Sequence, residues 1–76
     1  MERKSYGNHG GNSPIRFYAV SASCIRVWFE DGGIYEYDVR VPGYDHVEAM
    51  KRLAAEGQGL ATYINQHVRT NYARKL

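Results

Sequence analysis

With 76 residues, one cysteine and a net charge of +2, the chain is one small domain near the size where a lone core becomes marginal. A chain this short buries only roughly 60% of its unfolded surface. One thiol excludes an internal disulfide, no metal-ligand spacing staples the fold, and no apolar run approaches the ~20 residues of a membrane span.

Stability must then come from the core or from self-association. A free thiol without a signal-peptide pattern sets the expectation of a reducing, cytoplasmic compartment. Residues 1–14 (MERKSYGNHGGNSP) hold three Gly, two Asn and little to bury, which predicts a flexible N-terminal arm ahead of a single domain over 15–76. Ile15 to Val20 (IRFYAV) reads as a first strand with both faces partly apolar. After Ser21-Ala22-Ser23 comes the stretch that organises the chain, Cys24 to Val39 (CIRVWFEDGGIYEYDV). Alternation on both sides of a Gly-bearing turn predicts a β-hairpin.

Two registers compete for that hairpin. A two-residue turn sets Val27 opposite Glu36 and mixes charge into the apolar face. A three-residue turn, Asp31-Gly32-Gly33 with Gly33 left-handed, pairs Phe29 with Tyr35, Val27 with Tyr37 and Ile25 with Val39. It gathers these six on one face and sets Arg26 opposite Asp38. A one-residue slip flips every side chain, so the pattern selects the longer turn.

Pro42-Gly43 ends the sheet. Val47, Met50, Leu53 and Ala54 then recur at helical spacing from about Tyr44, with Gly57 as the stop. A second helix is expected from Leu60 to Val68, with Leu60, Ile64 and His67 or Val68 on one side. The fold class is therefore α+β: a three-stranded antiparallel β-meander packed against two C-terminal helices.

Charge is unevenly spread. Residues 1–16 carry +2, residues 17–56 carry −3, and residues 57–76 carry +3 with no acid. Gly33-Ile34-Tyr35-Glu36-Tyr37, then Pro42, a helix and Tyr63-Ile64-Asn65-Gln66-His67-Val68-Arg69-Thr70-Asn71-Tyr72, resembles the KTSC domain, named for the C-terminal region of some lysyl-tRNA synthetases. Its Tyr-x-Tyr matches Tyr35 and Tyr37, and its closing aromatic-Asn-x-x-(Ile/Val)-Arg-x-x-Tyr run matches Tyr63, Asn65, Val68, Arg69 and Tyr72. Gly59 lies farther upstream than the family's pattern has it, and Arg74 stands where a second aromatic often follows. Through the family's company with a tRNA synthetase, the resemblance implies RNA as partner.

The functional expectation is a non-enzymatic binding domain without cofactor. Its first candidate surface for RNA, or another phosphate-bearing ligand, is Asn65, Arg69, Tyr72, Arg74 and Lys75. There Arg supplies fork-shaped donors and Tyr a stacking ring. Tyr35 and Tyr37, with Tyr63, are expected to pack in the core rather than stack on bases. Arg26, Trp28 and Tyr18 form a second patch, on the sheet face away from the helices, suited to a homo-oligomer or another protein. A small nucleotide held at a subunit interface is the third reading. Catalysis finds no pattern: His9, His46 and His67 share no ligand spacing, and Cys24 has neither a helix N-terminus after it nor a nearby His to activate it.

Overall fold

A computed structural model describes residues 1–76. Its centre is the expected hairpin, with β3 (Cys24–Phe29) and β4 (Ile34–Asp38) antiparallel. The turn has the expected three residues but begins one residue earlier, as Glu30-Asp31-Gly32. The Phe29 N–H donates to the Gly33 carbonyl (2.8 Å) and the Gly32 N–H to the Phe29 carbonyl (3.0 Å). Gly32, not Gly33, carries the positive φ of 93°. Asp31 favours this choice, since its Oδ1 accepts the Gly33 N–H at 2.8 Å and closes a local side-chain turn. Sliding a three-residue turn by one residue moves the register by two. Val27 therefore pairs with Tyr35, Ile25 with Tyr37 and Arg26 with Glu36, while every side chain keeps its expected face.

The sheet has five strands rather than three, in the order β1-β2-β3-β4-β5. β2 (Ile15–Val20) pairs with β3, as the meander requires. The two additions are edge strands of two residues each, β1 (Lys4–Ser5) on β2 and β5 (Arg74–Lys75) on β4. The stretch expected as a loose arm is thereby tied down. The Tyr6 N–H donates to the Arg16 carbonyl (2.9 Å) and the His9 N–H to the Gly57 carbonyl (2.7 Å). Tyr6 joins the core, and its hydroxyl accepts the Leu60 N–H at 3.3 Å. One aromatic among glycines and asparagines was too little apolar signal to foresee this.

α1 (Tyr44–Glu56) buries Val47, Met50 and Ala54, with Leu53 partly covered. It ends where expected: Gly57 at φ 76° donates its N–H to the Leu53 and Ala54 carbonyls. No side chain fits there, because a Cβ would lie 2.7 Å from the His9 ring and 3.2 Å from the Gly7 Cα. α2 (Leu60–Tyr63) runs directly into a π-helical turn, Ile64–Val68. Leu60, Ile64 and Val68, four apart, all stay buried, while His67 is exposed. No helix is long and apolar enough to cross a membrane. The helices pack on one sheet face over Ile25, Val27 and Tyr37; fully burying an aliphatic side chain in such a layer contributes about 1.5–3 kcal/mol. No helix packs on the other face, called the open face below.

Candidate nucleic-acid interface

The open face is set by an irregularity in β2. An extra residue, Arg16, sits between the Ile15–Phe29 and Phe17–Trp28 pairs, and such a bulge reverses the facing of the strand residues beyond it. Ile15 goes into the core. Phe17 turns to the open face beside Trp28, and Tyr18 turns to the helix face beside Val27. The expected patch of Arg26, Trp28 and Tyr18 is therefore corrected: Tyr18 leaves it and Phe17 takes its place. Simple alternation through IRFYAV could not show this. Arg3 lies over both rings, its guanidinium carbon 4.2 Å from the Phe17 centroid and 5.8 Å from that of Trp28. These separations suit cation–π attraction.

Beside the aromatic pair lies an ion triad. Glu36 is only 5% exposed although it belongs to the open face. One carboxylate oxygen accepts Arg26 Nη2 (2.7 Å) and Nε (3.2 Å). The other accepts Arg74 Nε (3.1 Å) and lies 3.0 Å from Arg74 Nη2. The Arg26 hydrogen bond, helped by the charge of Arg74 and opposed by burial, holds the Glu36 carboxyl below its ordinary range. Two guanidinium groups thus cover one carboxylate, leaving the triad one net positive charge. Next along β4, Asp38 accepts the Val41 and Arg40 N–H groups (2.8 and 2.9 Å). These bonds, the Val41 one foremost, lower its carboxyl as well.

The five C-terminal candidates do not form one surface. Arg74 reaches Glu36 on the open face. Lys75 goes to the other side, 5.6 Å over the Tyr35 ring. Tyr72 is half-buried, its ring 5.0 Å from Tyr35, and so serves packing more than stacking. Asn65 and Arg69 are exposed at the π-helical turn, and Arg69 makes no ion pair. The alternation of a two-residue strand divides what a helical or frayed tail would have presented together. The three motif tyrosines pack as expected: Tyr37 is buried, Tyr35 stacks edge-on to Phe29 at 5.6 Å, and Tyr63 lies partly covered against the core.

No family model, curated protein or solved structure matches the chain.

Two features escaped the sequence reading. His46 Nδ1 and the Tyr63 hydroxyl share a 2.7 Å hydrogen bond, and His67 stacks on Tyr63 at 4.4 Å. A turn of α1 and the π-helical turn bring these two histidines together from positions without shared spacing. No group of three or more His, Cys, Asp or Glu side chains is arranged to hold a metal ion. The second feature is an uncharged cleft between the Asn8–Pro14 loop and α2, with Asn65 on its wall.

Proposed function

We propose that the chain is a KTSC-like, non-enzymatic domain that binds single-stranded RNA across its open sheet face. The observation that carries this reading is the cross-strand Phe17–Trp28 pair, with Arg3 over both rings and Arg26 and Arg74 alongside. Bases stack on aromatic rings displayed by a sheet, and guanidinium groups hold the phosphates between them. Arg74 belongs to the basic C-terminal segment and brings its charge to this face, whereas Lys75 lies over Tyr35 on the opposite one. Engaging about three phosphates gives a log–log salt slope of about −2 on a single strand.

Trp28 is the chain's one tryptophan, so its fluorescence reports stacking directly. Titration with short single-stranded RNA at low salt should quench Trp28, and raising the salt should reverse the quench along that slope. Arg3→Ala and Arg74→Ala should each weaken binding and flatten the slope. Unchanged fluorescence at low salt, or affinity indifferent to Arg3, refutes the reading.

A second use of the same face is self-association. Phe17, Trp28 and Ile34 pair in line across three strands, and the exposed Leu76 follows, its N–H on the Ile34 carbonyl at 2.8 Å. Light scattering distinguishes the two. A dimer that Trp28→Arg returns to 8.7 kDa, with no RNA quench, favours this reading instead.

A further inference from the structure

The geometry points to a nucleobase-binding cleft between the Asn8–Pro14 loop and the face of α2, a site that rests on the RNA reading above and adds base recognition to it. The cleft holds about 330 Å³, and none of its eleven lining residues is charged. In a chain with 24% charged residues, such a wall sets the ligand's chemistry: a phosphate or carboxylate would find no counter-charge, whereas a neutral group with donors and acceptors would be matched.

The walls divide by role. Asn8, Ser13 and Tyr6 are already engaged and hold the cleft in shape. Asn8 takes φ 52°, a left-handed conformation that asparagine tolerates better than most residues. Its carbonyl accepts the Gly11 N–H (3.0 Å) and its Oδ1 the Ser13 N–H (3.0 Å). Ser13 Oγ accepts the Ile15 N–H (3.1 Å) and the Tyr6 hydroxyl the Leu60 N–H (3.3 Å). The loop is thereby pinned to the sheet and to the start of α2.

Asn12, Gln58, Thr62 and Asn65 also line the cleft, and none of their side chains bonds within the protein. A carboxamide presents a donor and an acceptor side by side in one plane. The edge of a base does the same, which is why Asn and Gln pair with bases in bidentate fashion. Pro14, Ala61 and the bare backbone of Gly10 and Gly59 leave wall without hydrogen-bonding side chains, on which a flat ring can lie. Tyr6 offers no free ring face, being 6% exposed, so the apolar face of a sugar has no aromatic platform here.

Uncharged nucleosides test this directly. Adenosine, guanosine, cytidine and uridine are titrated into the ¹⁵N-labelled full chain at low and at high salt, beside glucose and galactose. At least one nucleoside should shift the side-chain amide signals of Asn12, Gln58 and Asn65, with an affinity that salt leaves unchanged. Asn12→Ala and Asn65→Ala, both at exposed positions, should each weaken that binding about threefold to tenfold while leaving backbone signals far from the cleft in place. No shift with any nucleoside, or shifts produced by the sugars alone, overturns the inference. The two readings fail separately. RNA that quenches Trp28 while nucleosides are ignored removes the cleft and keeps the open face. Nucleosides that bind while RNA leaves Trp28 unchanged do the reverse.

Discussion

Replacing Glu36 by Gln should move stability and RNA affinity in opposite directions. The carboxylate accepts Arg26 at 2.7 and 3.2 Å and Arg74 at 3.0 and 3.1 Å. Removing one member of a fully buried ion pair costs about 3–5 kcal/mol. Here the side chains of Arg26 and Arg74 are 31% and 63% exposed, so both rehydrate after the loss. The expected cost falls to about 1–3 kcal/mol, the range for a hydrogen bond to a charged group. Most of it should lie on the Arg26 side, with Arg74→Ala below about 1 kcal/mol because that pair is screened at the surface. Urea unfolding at neutral pH measures each variant.

The pH dependence carries its own sign. Glu36 titrates below its ordinary value of 4.5 in the folded state. Its contribution is complete above that value and is lost as pH falls through the lowered folded one. Glu36→Gln should therefore flatten the acid limb without abolishing it, because Asp38 is lowered too. The same change releases two arginines toward a ligand. One further phosphate contact steepens the salt slope by about 0.7, or about fivefold tighter RNA binding at ~0.1 M salt. A variant within about 0.5 kcal/mol of the parent, with an unchanged acid limb, would refute the reasoning.

Tyr6→Ala should cost about 3–5 kcal/mol in urea unfolding, a large share of a small domain's stability, and Tyr6→Phe about 0.5–1.5 kcal/mol for the lost Leu60 contact. An unchanged Tyr6→Ala would mean that the N-terminal segment is only loosely seated. Tyr37 is pushed up to about 12, chiefly by burial and then by neighbouring Tyr35 and Tyr72. From its ordinary 10.0 upward the folded state keeps a proton that the unfolded state releases, so stability falls with rising pH. Tyr37→Phe should lessen that alkaline loss, measured by thermal unfolding across the range.

What the sequence made legible was parity. Two flanking runs fixed which side chains face the helices, and that assignment survived although the turn moved by one residue. The choice between neighbouring glycines was not legible, because it depended on an Asp31 side-chain bond to a single N–H. The Arg16 bulge defeated the first strand for the opposite reason: its sequence is apolar on both faces, so neither parity opposes the other. The edge strands escaped because two residues carry no period. Their pairing is decided by the sheet they meet. The candidate site followed these errors. Trp28 and Arg26 stood where alternation put them, Tyr18 and Phe17 exchanged places across the bulge, and the C-terminal cluster came apart when its last residues became a strand.

Sheet order that copies chain order has a kinetic consequence. β2, β3 and β4 each pair with the strand just before them across a short connection, so those three ladders close small loops at low entropic cost. They can close early, whereas β5 and the Tyr6–Leu60 contact, separated by 54 residues, must wait for the rest of the chain. Until α1 packs, Ile25, Val27 and Tyr37 have no cover, so substitutions that delay its docking are expected to prolong the exposure of that apolar face.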